Sequence, residues 1–126
     1  MSALTDPVVD QRLGDFLQAL ASDQPTPGGG AAAAVSAALA ASLTAMVLRL
    51  SLDRPKYADF ADLHAEALPA SDAARARFLE LADDDATAYA GYRAARGMPR
   101  ETDAEKDARE AATREAARVA AALRSA

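Results

Sequence analysis

The stretch Pro25-Thr26-Pro27-Gly28-Gly29-Gly30-Ala31-Ala32-Ala33-Ala34-Val35-Ser36-Ala37-Ala38-Leu39-Ala40-Ala41-Ser42-Leu43-Thr44-Ala45-Met46-Val47-Leu48-Arg49-Leu50 decides the fold class. Two prolines without amide donors and three glycines end whatever precedes them, and the alanine run that follows is the strongest helix-forming composition available. The spacing predicts a helix over about Gly30 to Leu50. Ala34, Ala37, Ala38, Ala41 and Ala45 fall on one side, and Leu39, Leu43, Met46, Val47 and Leu50 lie around the rest. A rod apolar nearly all round is expected in the middle of a bundle, its alanine side admitting a neighbouring backbone at short distance.

The rest of the chain agrees. Of 126 residues, 36 are alanine, none is cysteine, tryptophan or isoleucine, and aromatic residues make up 5%. So much of the best helix former with so few β-branched residues excludes a β-rich fold. Upstream, Val9, Leu13, Phe16, Leu17 and Leu20 predict an amphipathic helix over Val8 to Ala21. Downstream, Asp53-Arg54-Pro55 opens a turn, and helical spacing resumes at Phe60, Leu63 and Ala67 until Pro69, which is expected to kink or divide the rod near Leu68. From Ala70 to Arg96 the stripe is Phe78, Leu81, Ala82, Asp85, Tyr89 and Tyr92, stopped by Gly97-Met98-Pro99. A last helix over about Asp103 to Leu123 starts at Thr102 with Glu105 three residues on, a capping box. The expectation is one all-α domain over residues 1–126, a bundle of about four to five helices around a long buried Ala-rich helix. A core of alanine methyls buries little area per residue, so the helices are expected to pack also against a second copy in an oligomer.

Charge and composition narrow the function. Lys+Arg 14 against Asp+Glu 19 leaves a formal net charge of −5, which disfavours a nucleic-acid partner. Without cysteine there are no disulfides, thiolate nucleophiles or cysteine metal sites, and His64 is the one histidine. No metal site is expected, and His64 reads as a surface or boundary residue. The N-terminus lacks a basic-then-apolar signal pattern, which points to the cytoplasm. The alanine-rich run is a poor membrane span because alanine contributes little to insertion and Arg49 sits near its end.

Two features carry chemistry. The Pro27-Gly28-Gly29-Gly30 loop opens straight into the long helix, where free amides and the helix dipole converge and the glycines let a ligand reach the backbone. A plain interhelical turn is the other reading of the same residues. Asp85 lies on an otherwise apolar stripe and should face the bundle interior or a cleft, as suits a proton-transfer group; it could equally be a boundary residue bonded to a tyrosine or an arginine. Arg49, Lys56 and Tyr57 gather at the end of the long helix, where Arg49 could reach a buried partner or an anion. Asp83 and Asp84 lie off the stripe and are expected in solvent.

Five segments occur together in order: Phe16-Leu17-Gln18-Ala19-Leu20-Ala21-Ser22 with Pro25-Thr26-Pro27-Gly28-Gly29-Gly30, then Arg49-Leu50-Ser51-Leu52, Pro55-Lys56-Tyr57, Leu81-Ala82-Asp83-Asp84-Asp85-Ala86 and Met98-Pro99-Arg100-Glu101-Thr102. In this the chain resembles the cyclodeaminase/cyclohydrolase family over nearly its whole length. The resemblance implies an all-α, homodimeric enzyme that acts on a tetrahydrofolate derivative without a metal or a covalently bound cofactor. It also implies Asp85 as acid/base, the Pro27 to Gly30 loop as folate holder, and Arg49, Lys56 and Tyr57 as substrate-binding residues. A noncatalytic helical interaction or folate-binding module is the alternative. The sequence departs from the family at Ala31, where serine is frequent, at Asp53, where glycine is common, and in ending at Ala126, where the family's domain continues into further helices.

Overall fold

A computed structural model describes residues 6–125. Four α-helices, α1 (Leu13–Ala21), α2 (Gly29–Ser51), α3 (Ala61–Arg96) and α4 (Asp103–Ser125), follow one another, with short 3₁₀ segments at Val8–Asp10 and Pro55–Phe60. No strand occurs among the described residues. The first expected helix is therefore shorter than its apolar spacing implied. Pro7 sets up a tight turn at Val8, whose amide donates to Asp83 Oδ1 on α3 at 2.9 Å, and the α-helix starts only at Leu13. Of its stripe, Phe16 is buried while Val9, Leu13 and Leu17 stay exposed.

The fold is organised around α3, which packs along α2 on one side and α4 on the other. Pro69 lies inside α3, which continues past it, so of the two expected outcomes the division does not occur. Pro69 is the ninth residue of α3, so its missing amide forgoes one bond to the Ala65 carbonyl, and packing along α2 holds the rod together. The contact between α2 and α3 is an alanine seam. Ala31, Ala38 and Ala45 are buried at seven-residue steps, and Ala82 on α3 is fully buried. Six of the seven buried apolar residues are alanines, Phe16 being the other. Small side chains on facing helices allow close approach of the two axes, and dispersion contacts between backbones replace those a leucine core would make.

The long helix is not enclosed as expected. Leu39, Leu43, Met46 and Leu50, on the side away from the alanine seam, remain between 49% and 62% exposed, because no other helix among the described residues covers them. The capping box at the start of α4 forms as read: Glu105 N donates to Thr102 Oγ1 at 3.1 Å, and Glu105 Oε2 accepts from Thr102 N at 3.1 Å and Glu101 N at 2.8 Å. Ion pairs Arg114–Glu110 and Arg118–Glu115 add support along a helix with few large apolar residues.

At the end remote from the glycines, α2 and α3 are joined by an ionic clamp. Arg49 grips Asp72 through both guanidinium nitrogens at 3.2 and 2.5 Å, and Arg75 adds a third contact at 3.0 Å. The hydrogen bonds from Arg49 hold the Asp72 carboxyl below its ordinary range. A carboxylate with a depressed pKa stabilises the fold above the ordinary value and loses that contribution as pH falls through the folded one. Asp72→Asn should therefore melt a few degrees below the parent at pH 7, and the gap should close below about pH 4; thermal melts across that range measure it, and a pH-independent gap would exclude the clamp as its cause.

Candidate functional site

The chain leaves α1 at Ser22, whose hydroxyl donates to Ala19 O at 2.6 Å and accepts from Gln24 N at 3.2 Å. It then passes through a cis Thr26-Pro27 bond to Gly28, whose carbonyl accepts the first helical bond from Ala32 at 3.1 Å. The first amides of α2 have no partner within the helix, and the positive end of the helix dipole lies there. None of the glycines adopts a positive φ, so their use is spatial rather than conformational.

That use is clearest at Gly30, where a Cβ would collide with both carboxylate oxygens of Asp85. The absence of a side chain is what lets Asp85 of α3 lie against the start of α2. Asp85 is half-buried and belongs to none of the ion pairs among the described residues. Its two neighbours are used differently. Asp83 holds the Val8 amide, which corrects the expectation that it is merely solvated, while Asp84 lies 3.7 Å from Arg77. Three consecutive carboxylates thus point in three directions, as a 100° step per residue dictates.

Asp85 and the glycines share a cleft of about 510 Å³. Pro25, Gly28, Gly29 and Gly30 form one wall, Asp85, Ala88, Tyr89 and Tyr92 of α3 the floor, and Ala117 and Ala120 of α4 the other wall. Gly29 would meet nothing within 4 Å if it carried a Cβ, so its surface is open to a ligand. On the other side of the same pair, a smaller apolar cavity of about 340 Å³ reaches Ala34, Ala37, Phe78 and Leu81. The arrangement offers an unpaired carboxylate and helix amides facing one space, flanked by two tyrosines, which suits proton transfer to a bound organic ligand.

The sequence expectations divide here. Asp85, Gly28, Gly29 and Gly30 come together; Pro27 is half-buried beside them but does not line the cleft, where Pro25 does. Arg49, Lys56 and Tyr57 do not join them in the same chain. Twenty residues of helix carry Arg49 about 30 Å from Gly29, and there it is engaged by Asp72 rather than free for a ligand. Lys56 lies 5.5 Å above the Tyr57 ring in the 3₁₀ segment at that same remote end. Tyr89 and Tyr92 were visible on the Asp85 stripe as apolar spacing only, and nothing in the sequence pattern of α4 marked it as a wall. His64 packs near Phe60 with ring centroids 6.5 Å apart. Among the described residues no group of three His, Asp or Glu could hold a metal. At Asp53 the φ of 60° is the left-handed region that favours glycine, which gives a physical reason for glycine being common there.

Residues 12–124 match the formiminotransferase-cyclodeaminase family, and the chain belongs to it. The chain is 42% identical over 106 residues to the methenyltetrahydrofolate cyclohydrolase of Methylorubrum extorquens, covering 83% of this chain and 50% of that protein. It is 33% identical over 108 residues to the formimidoyltransferase-cyclodeaminase of Sus scrofa, covering 86% of this chain and 20% of that protein. The fold matches the crystal structure of formiminotetrahydrofolate cyclodeaminase from Thermotoga maritima with a TM-score of 0.76 at 27% identity, over 92% of this chain and 54% of that one. The chain thus spans about half the length of the cyclohydrolase and of the solved cyclodeaminase, and a fifth of the pig protein.

The Gly30–Asp85 contact makes a direct prediction. Gly30→Ala should couple to Asp85→Ala by about 0.5–3 kcal/mol in a double-mutant cycle followed by urea unfolding, since each alters the same contact. Gly29→Ala, facing open space, should show no coupling. Additive effects for Gly30 would mean that Asp85 does not occupy this position in solution.

Proposed function

We propose that the chain binds a tetrahydrofolate derivative in the glycine cleft and acts as a formiminotetrahydrofolate cyclodeaminase or a methenyltetrahydrofolate cyclohydrolase, with Asp85 moving the proton. The observation that carries this reading is the unpaired Asp85 carboxylate held against Gly30 in an open cleft, in a chain whose relatives bear those two activities in their names.

Both reactions pass through one tetrahedral carbon between two nitrogens. In the first, the folate arylamine nitrogen attacks the formimino carbon, loses its proton, and ammonia departs carrying a proton, leaving the cationic methenyl ring. In the second, water adds to the methenyl carbon and gives up a proton, one carbon–nitrogen bond breaks with that nitrogen taking a proton, and the remaining hydroxyl proton leaves to solvent as the formyl carbonyl forms. Each sequence needs a group that takes one proton and returns another, the work of a single well-placed carboxyl group. An ionised Asp85 also complements the positive charge of the methenyl ring, and the free amides at the start of α2 can donate to an oxygen on the tetrahedral carbon. Gly28 and Gly29 allow the flat ring system to lie on the backbone.

Asp85→Asn should cut turnover about 100-fold or more, followed by the methenyl absorbance, with helix content unchanged by circular dichroism. Full activity in the variant would reject the assignment. Binding of tetrahydrofolate by the parent without any turnover would support the noncatalytic folate-binding module instead.

The partner in this reading is a second copy. On α2, Leu39, Leu43, Met46 and Leu50 follow steps of four, three and four, the spacing of a helix-pairing seam, and the helix carries no charge from Gly29 to Leu48 that would oppose pairing. A bilayer fits less well, although α2 is long and apolar enough to span one. The packed α3 would bring Asp72, Arg75, Arg77 and Glu80 with it, at about 2.5–3.5 kcal/mol for each charge held near the membrane centre. Leu43→Glu should turn a dimer into a monomer in sedimentation analysis. A parent chain monomeric at high micromolar concentration would remove this part of the proposal.

A further inference from the structure

The glycine cleft is electrostatically one-sided. Among the described residues no lysine, arginine or histidine lines it, and Asp85 is its one charged side chain. Five of the chain's cations, Arg96, Arg100, Lys106, Arg109 and Arg114, instead line a neighbouring cationic cleft where α3 meets α4, and there Arg109 Nε donates to the Arg96 carbonyl at 3.0 Å. Two of the chain's three tyrosines face the glycine cleft. Tyr89 follows Asp85 by four residues, about 6 Å along α3, so the two side chains share one face of the helix. Tyr89 is 42% exposed, and its ring is unoccupied. Among the described residues the aromatic face that carries a cation is that of Tyr57, under Lys56, and the rings that pair are those of Phe60 and His64. An aromatic face is negative at its centre and attracts a cation within about 6 Å of the centroid. A carboxylate and a free aromatic face one turn apart, in a space that no cationic side chain lines, select positive charge.

We infer that Tyr89 is a specificity-determining residue: its ring lies against the positively charged reacting end of the ligand and, with Asp85, favours the methenyl cation over an uncharged formyl compound of the same skeleton. The cleft then divides its work. Amides on the glycine wall serve an oxygen, and the α3 floor serves the cation. Tyr92 lies seven residues from Asp85, about 10.5 Å along the helix, beyond the reach of that charge. The role belongs to the ring and not to the hydroxyl, so phenylalanine would fill it and leucine would not. The inference rests on the folate reading, because the positive charge is that of the methenyl ring.

The test is calorimetric titration of the parent, Tyr89→Phe, Tyr89→Leu and Tyr92→Leu with methenyltetrahydrofolate and with 5-formyltetrahydrofolate, which lacks the charge. Mildly acidic buffer keeps the closed cation favoured, since ring opening releases a proton. The parent should bind the methenyl compound about 10-fold more tightly than the formyl compound. Tyr89→Leu should weaken methenyl binding about 5-fold or more and change formyl binding by less than about 2-fold, which also shows the cleft intact. Tyr89→Phe and Tyr92→Leu should keep the parent's ratio. Equal binding of the two compounds by the parent, an unchanged ratio in Tyr89→Leu, a Tyr89→Phe variant as impaired as Tyr89→Leu, or an equal fall in Tyr92→Leu overturns the inference and leaves the folate reading standing. Binding of neither compound by the parent overturns the folate reading and this inference with it.

Discussion

The close approach of α2 to α3 is the constraint from which the other features follow. Ala31, Ala38 and Ala45 present only methyl groups to the neighbouring helix, and at Gly30 even the methyl is missing. The axes can therefore come near enough for a short aspartate on one helix to lie against the first turn of the other. A leucine in that row would push the rods apart and carry Asp85 away from the α2 amides. The same alanines make the core thin, since each buries little apolar area. The geometry that creates the cleft is thus also why so much of α2 remains uncovered.

The α2–α3 hairpin has two ends with different physical characters. At one, Arg49, Asp72 and Arg75 lock the helices together through exposed ionic contacts. At the other, Asp85 is left without an ionic partner beside glycines that offer no side chain. The partnered carboxylate does structural work; the unpartnered one is available to a ligand. Arg109 repeats the structural theme between α3 and α4, while the cations around it face open space.

On α2 the two longitudinal stripes perform separate tasks. The alanine row is satisfied within the chain, whereas the Leu39, Leu43, Met46 and Leu50 row has no partner among the described residues.

Much of this could be read from residue spacing. The alanine run with no isoleucine and little aromatic content determined an all-α chain, because helix propensity and 3.6-residue periodicity are local properties. The capping box at Thr102 and Glu105 and the inward stripe through Asp85 were equally local. The glycine run and the aspartate marked the family through their order. Other features depended on how helices lie in space. Arg49, Lys56 and Tyr57 stood beside the glycines in the order of motifs, and only the length of α2 shows that within one chain they lie about 30 Å from Gly29. Asp83 looked solvated until the N-terminal turn docked on it, and Pro69 looked like a break until packing on α2 carried α3 through it. The cationic cleft joins the end of one helix to the start of the next across a turn, and no window of sequence displays it. Local chemistry determined which segments are helices and which residues are unusual; the antiparallel return of α3 along α2 alone decided that Gly30 and Asp85 would meet, because contact between residues 55 positions apart is a property of packing and not of the segments themselves.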